Sequence, residues 1–151
     1  MNRRLRTDKG AALLEFALIL PLLVMLLLGV VDFAYLFAQN LDVRHGAREG
    51  ARLVAVNYQP NPANSGASQT TDIVNEVMAR MDASALTTVT LEACGTGTVG
   101  DGAKADVTVQ GQTLTGVLDW AIPNPITLSS HVEIKIEQPA TWVDNAGAPT
   151  C

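Results

Sequence analysis

Residues 10–31 read GAALLEFALILPLLVMLLLGVV, an apolar run that holds one ionisable group, Glu15. About 20 apolar residues cross ~30 Å of hydrocarbon as an α-helix, so 11–31 is expected to span a membrane. A charged group at the centre of such a helix costs about 2.5–3.5 kcal/mol on insertion scales, and an intramembrane acid points to a functional site. Glu15 lies near the start of the run and needs a partner that supplies positive charge. Arg3, Arg4, Arg6 and Lys9 precede the run with only Asp8 opposing them, and Asp32 follows it. Cationic flanks stay in the cytoplasm. The N-terminus is therefore expected inside the cell membrane and everything beyond Val31 outside it.

The helical pattern continues past Val31. Phe33, Leu36 or Phe37, Leu41, Val43 or Ala47, Ala51 and Val54 recur at three- and four-residue spacing without a proline. Asn57, Pro60 and Pro62 then supply a stop. One helix from about Ala11 to about Val56 would be about 70 Å long, with Pro21 expected to kink its membrane half. In the outer half, 32–56, Gly46 and Gly50 form a small-xxx-small pair, as do Ala47 and Ala51. Such spacing lets another backbone approach closely. Two glycines cost a helix about 1 kcal/mol each relative to alanine, which close packing explains better than tolerance. The face is expected to dock on the protein's own sheet or on another subunit. Arg44, Arg48 and Arg52 lie four apart as a basic stripe, with Glu49 placed to pair with Arg52.

Beyond a loop at 57–70, residues 57–151 read as a small extracytoplasmic α+β domain. Thr71 or Asp72 is a helix N-cap candidate, and Ile73, Val74, Val77, Met78 and Met81 line one face of a helix over 72–83. TTVTLEAC (87–94) alternates as a strand, GTGTVGDG (95–102) is a turn, and Ala105, Val107 and Val109 mark a second strand. Leu114, Val117, Leu118 and Ile122 fit a short helix ended by Pro123 and Pro125, with Trp120 assigned to the core rather than the membrane surface. ITLSSHVEIKIE (126–137) is a third strand with Val132, Ile134 and Ile136 on one face, and the tail after it is irregular. The expected fold is a three-stranded antiparallel sheet, with one or two short helices, laid against the outer half of the long helix. Such a sheet alone is marginal. Cys94 and Cys151, both outside, are expected to pair in an oxidising compartment, with free thiols or an intermolecular bridge as the alternatives. The loop closed by such a bridge is worth roughly 4 kcal/mol in the chain-entropy account.

The net charge is -5, and without residues 1–10 six cations face fourteen acids, or -8. An acidic outer part is a poor match for nucleic acid. No phosphate loop or dinucleotide fingerprint is present. His45 and His131 lack metal-ligand spacing, and Asp101 and Asp106 do not match a calcium loop. No enzyme activity, metal, cofactor or small-molecule substrate is expected.

Three readings of the N-terminus compete. A cleaved secretory signal has a shorter apolar core and a better small-residue site than the one at Ala38; it would release a soluble domain. A plain signal anchor needs only the apolar run and its basic flank. The third reading also uses the order basic leader, Gly10, Ala11, Ala12, Leu13, Leu14, Glu15, Phe16. This order resembles the processing site of type IV pilin-like proteins, and Glu15 followed by Phe16 resembles their Flp, tight-adherence branch. Together with Ala17, Pro21, Asp32, Phe33 and Ala47–Arg52, these residues resemble the TadE-like family. The resemblance implies a pilin-like minor subunit, or pseudopilin, of a tight-adherence pilus. It implies cleavage between Gly10 and Ala11 by a prepilin peptidase, other pilin-like subunits and the pilus assembly machinery as partners, and no catalysis. The new α-amine at Ala11 of a neighbouring copy would meet Glu15 and, with Phe16, set register between helices. The rival function is a membrane-anchored binding or sensor module whose helix only tethers it.

Overall fold

The computed structural model describes residues 4–82 and 87–145, without the side chains of 4–9. Its longest element is a single helix, α1 (Arg4–Ala55), about 78 Å at 1.5 Å per residue. It takes in the described part of the basic leader and continues helical through Pro21, so it begins upstream of the expected start at Ala11. At its far end Asn57 takes a left-handed conformation (φ 51°), and the Tyr58 N–H donates to the Leu53 carbonyl at 2.9 Å. This closes the last turn where the sequence placed the stop.

The second helix, α2 (Ala67–Ala79), is followed by the strands β1 (Thr87–Cys94), β2 (Gly102–Gly111) and β3 (Ile126–Lys135). They form one antiparallel sheet in the order β1-β2-β3, with Val89 opposite Val107 and Ala105 opposite Val132. The fold is α+β, as the patterns imply. β2 is central, and its alternate residues Ala103, Ala105, Val107 and Val109 are buried. They meet Val43, Ala47, Ala51 and Val54 of α1, Ile73 and Val77 of α2, and Val89 and Leu91 of β1. Gly50 lets the layers close. A Cβ there would stand 3.1 Å from the Ala105 Cβ and 3.5 Å from Val77. At Gly46 a Cβ would overlap the Met81 thioether.

Four local expectations are corrected. The second helix starts four or five residues before Thr71 or Asp72 and ends at Ala79, and Ala83 lies outside the described residues. The early start comes from buried polar groups: the Gln69 amide donates to Asn57 and Tyr58, and Thr70 bonds Gly66 and Val143. These tertiary bonds fix the turn ahead of the local cap candidates. Residues 114–122 are a series of turns rather than a helix. Trp120 is exposed (86%), and Trp142 is the tryptophan in the core. Lastly, β3 ends at Lys135 rather than at 137, and the irregular tail that follows is held over 137–145 as a strap. The Glu137 and Gln138 N–H groups donate to the Ala55 carbonyl, and the Trp142 indole N–H donates to Val54 O at 3.1 Å. The strap thus satisfies carbonyls that a helix end leaves open. It then runs beside β1, where Asn145 Oδ1 accepts from Leu91 N–H and Asp144 Oδ1 from Ala93 N–H.

Asp101 serves the β1–β2 turn. Its Oδ2 accepts from the N–H and hydroxyl groups of Thr96 and Thr98 at 3.0–3.1 Å. These bonds, led by those from Thr98, hold its carboxyl below the ordinary value. Asp106 is paired instead with Lys104 at 3.1 Å. Cys94 is not a free thiol. Its expected partner Cys151 lies outside the described residues.

Two outcomes follow for stability. Gly50→Val should destabilise the outer domain by about 1–3 kcal/mol through overpacking against β2, read as a lowered Tm. Asp101 has a depressed folded pKa, so its contribution is present above about pH 4 and is lost as pH falls through the folded value. The stability gap between wild type and Asp101→Asn should therefore be wide at pH 6 and narrow progressively in acid; a gap that holds constant down to pH 2 contradicts the assignment.

Candidate functional site

The long helix carries the site, and its two ends differ. From Gly10 to Met25 every residue of α1 is exposed, Glu15 and Phe16 included. Among the described residues Glu15 has no hydrogen-bond or ion-pair partner. A Cβ added at Gly10 meets nothing within 4 Å. The glycine, Ala11 and Glu15 thus share one unobstructed stretch of helix. One helix among the described residues is long and apolar enough to cross a membrane, and the described residues bury none of its most apolar window. This fits a single-pass membrane protein.

Burial begins where the apolar run ends. Asp32 is fully buried, followed by Leu36, Val43, Gly46, Ala47, Gly50 and Ala51 on the same side. Spacings of three, four and seven residues keep them on one face. Gly46, Ala47, Gly50 and Ala51 are consumed by the chain's own sheet and α2, so this face is closed to a second subunit. The opposite face stays open: Phe33, Phe37 and Leu41 are exposed, and the rows continue through exposed Arg44, Arg48 and Arg52. Glu49 lies 3.9 Å from Arg52 but makes its closer contact with Arg80 of α2, which also pairs with Glu76 at 2.7 Å. The pair with Arg80 ties α1 to α2, and its chain separation of 31 residues hid it from the helical spacing rule.

Asp32 is the functional residue whose role the sequence concealed. It reads there as a flanking acid. In the structure its Oδ1 accepts from the Thr115 N–H at 2.6 Å and its Oδ2 from the Thr115 hydroxyl at 2.7 Å. Burial pushes the carboxyl upward, but these bonds from Thr115, with further backbone bonds in the same loop, outweigh it and hold the group below its ordinary value. Seven residues on, Gln39 makes a paired amide contact with the backbone of Gln112 at 3.0 and 3.2 Å. Two polar clips therefore bind the β2–β3 connection to α1 just past the apolar run.

A cleft between α2 and the strap is lined by Ala67, Thr70, Thr71, Val74, Val143 and Asp144. Of its polar groups, the Thr70 hydroxyl donates to Val143 O of the strap and Asp144 Oδ1 accepts from Ala93 N–H of β1. No cluster of three metal-ligating side chains occurs among the described residues.

Residues 10–52 match the TadE-like protein family. The TadE-like stretch begins at Gly10 and ends at Arg52, so it takes in the exposed Glu15 and Phe16, the buried Asp32 and the whole small-residue face. It stops before α2 and the sheet. No curated protein and no solved structure matches the chain. The TadE-like match covers less than a third of the chain.

Removing the Asp32 clip should loosen the connection without unfolding the sheet. In Asp32→Ala, hydrogen exchange should speed up at Thr115 while the amides of β2 keep their protection. Unchanged exchange at Thr115 would refute the clip.

Proposed function

We propose that the chain is a pilin-like minor subunit, a pseudopilin, that takes part in assembly of a tight-adherence, Flp-type pilus. In this reading residues 1–10 are a leader, 11–31 span the membrane, 32–56 form the outer half of α1, and 57–151 fold outside the cell. A prepilin peptidase cuts on the cytoplasmic side between Gly10 and Ala11. The observation that carries the reading is the TadE-like match over a helix whose Glu15 has no partner within the described residues of its own chain.

The chemistry is one of charge pairing. A carboxylate in lipid needs a cation or donors. Glu15 stands four residues beyond Ala11, and cleavage creates an α-amine at Ala11. In a single subunit that amine belongs to the same helix end; across two staggered helices it reaches the neighbour's Glu15 and fixes their axial offset. Phe16 then packs beside the pair. The small-residue face is occupied internally, so lateral association uses the exposed side of α1. Gly10 has no side chain to obstruct a protease, and its local helix must open for cleavage. A disulfide between Cys94 and Cys151 would secure the strap after export; the strap's bonds to β1 up to Asn145 support it by bringing the tail alongside that strand.

Mass spectrometry of the membrane-extracted protein from its host should give a mature chain beginning at Ala11. An assembled form that retains Met1–Gly10 refutes the processing step. Glu15→Ala should insert normally, yet lose co-purification with partner subunits by tenfold or more, about 1.4 kcal/mol or above in association. A helix that only tethers a binding module would tolerate the change.

A further inference from the structure

The connection between β2 and β3 descends along α1. Gln112 is held at Gln39, Thr115 at Asp32, and Leu118 packs at 3.6 Å from the position of a Gly29 Cβ. From Gln39 to Gly29 is ten residues of helix, about 15 Å of descent. Gly29 belongs to the apolar run, two residues before its last member, Val31. If α1 crosses the bilayer through Val31, the tip of this connection cannot stand clear of the membrane. The interfacial layer on each side is only about 5–8 Å thick.

The composition and bonding of the tip suit that position. Trp120 is 86% exposed and Leu114 is 61% exposed. An indole combines an apolar body with an N–H donor, the reason tryptophan collects at headgroup level. Several of the tip's backbone donors are satisfied within it: Asp119 N–H by Gly116 O, and Ala121 and Ile122 N–H by Leu118 O. Its one acid is turned to internal use. Asp119 Oδ1 accepts from the Thr113 hydroxyl at 2.6 Å and from Asn124 Nδ2 at 3.0 Å. Backbone satisfied from within is what a segment needs in a medium poor in water. Phe33 and Phe37 expose their rings on α1 between the levels of Gly29 and Gln39.

We infer that residues 113–122 form a membrane foot, in which Trp120 and Leu114 enter the lipid headgroup layer of the bilayer that α1 crosses. The inference rests on the spanning part of the proposed function and is independent of pilus assembly and processing. The foot gives the outer domain a second contact with the membrane, beside the helix. Asp32 is the positioning residue: its bonds to Thr115 hold the foot at that depth. The occupant is the lipid surface, since the tip lies at the level of the spanning run itself.

The test uses full-length protein in phosphatidylcholine vesicles. Resistance to alkaline extraction first establishes that α1 is inserted. Tryptophan emission is then compared with lipids brominated near the headgroup and with aqueous iodide, in wild type and in Trp120→Phe. Trp142 is buried and supplies the constant background. The expected result is a blue-shifted component, quenched at least twofold by shallow bromolipid and little by iodide, that disappears in Trp120→Phe. Asp32→Ala should weaken that bromolipid quenching while the protein stays inserted. Quenching of Trp120 by iodide alone overturns the foot, and shielding of Trp120 from both quenchers overturns it in favour of a protein–protein contact. Protein stripped by alkali refutes the spanning reading and the foot with it, which separates that failure from the others.

Discussion

Close approach between α1 and the central strand governs this structure. Ala105 of β2 sits where a side chain on Gly50 would stand, and Met81 occupies the space over Gly46. The glycines weaken the helix locally, yet they let sheet and α2 bury Ala47, Ala51, Val54, Val77 and Leu91 against one another. A three-stranded sheet has little apolar area to hide by itself. The rigid helix supplies the missing layer, and the same helix places that layer directly above the apolar run. Domain and apolar run therefore share one continuous helical backbone.

That continuity gives the polar residues near the exit their meaning. Asp32 and Gln39 face the β2–β3 connection, and Glu49 faces Arg80 of α2. The buried carboxylate of Asp32 is tolerable because two donors of Thr115 meet it at short distance. Glu15 has no comparable donors among the described residues. Two acids seventeen residues apart on one helix thus have opposite standing: one completes the fold of its own chain, and the other is open to a group from elsewhere. The contrast directs attention to the exposed half of α1 for association between subunits, because the small-residue face is already filled.

Much of the fold was legible because its signals are local. Alternation through Val89 and Leu91, and through Ala105, Val107 and Val109, identified strands whose inward residues are indeed buried. The two tryptophans were not legible. Trp120 lies in an apolar-looking stretch and Trp142 in a polar tail, so local context favours Trp120 for the core. The structure reverses this because Trp142 reaches a helix-end carbonyl 88 residues away, at Val54. The start of α2 was misread for the same kind of reason. Thr71 and Asp72 have cap chemistry, but Gln69 bonds Asn57 and Tyr58 at the end of α1, and Thr70 bonds Val143 of the strap.

The sequence by itself determined the long apolar helix, its charge asymmetry, the isolated acid at position 15, the small-residue face and the antiparallel strands. Each of these depends on spacing along a few turns or a few pleats, where side-chain direction follows from backbone geometry. Only the tertiary structure decided what covers each face. It assigned the glycines to the chain's own sheet, buried Asp32 beneath Thr115, turned the tail into a strap and left Trp120 outside. Those outcomes depend on contacts between segments tens of residues apart, and no local period encodes which of several apolar or polar groups will meet across such a distance.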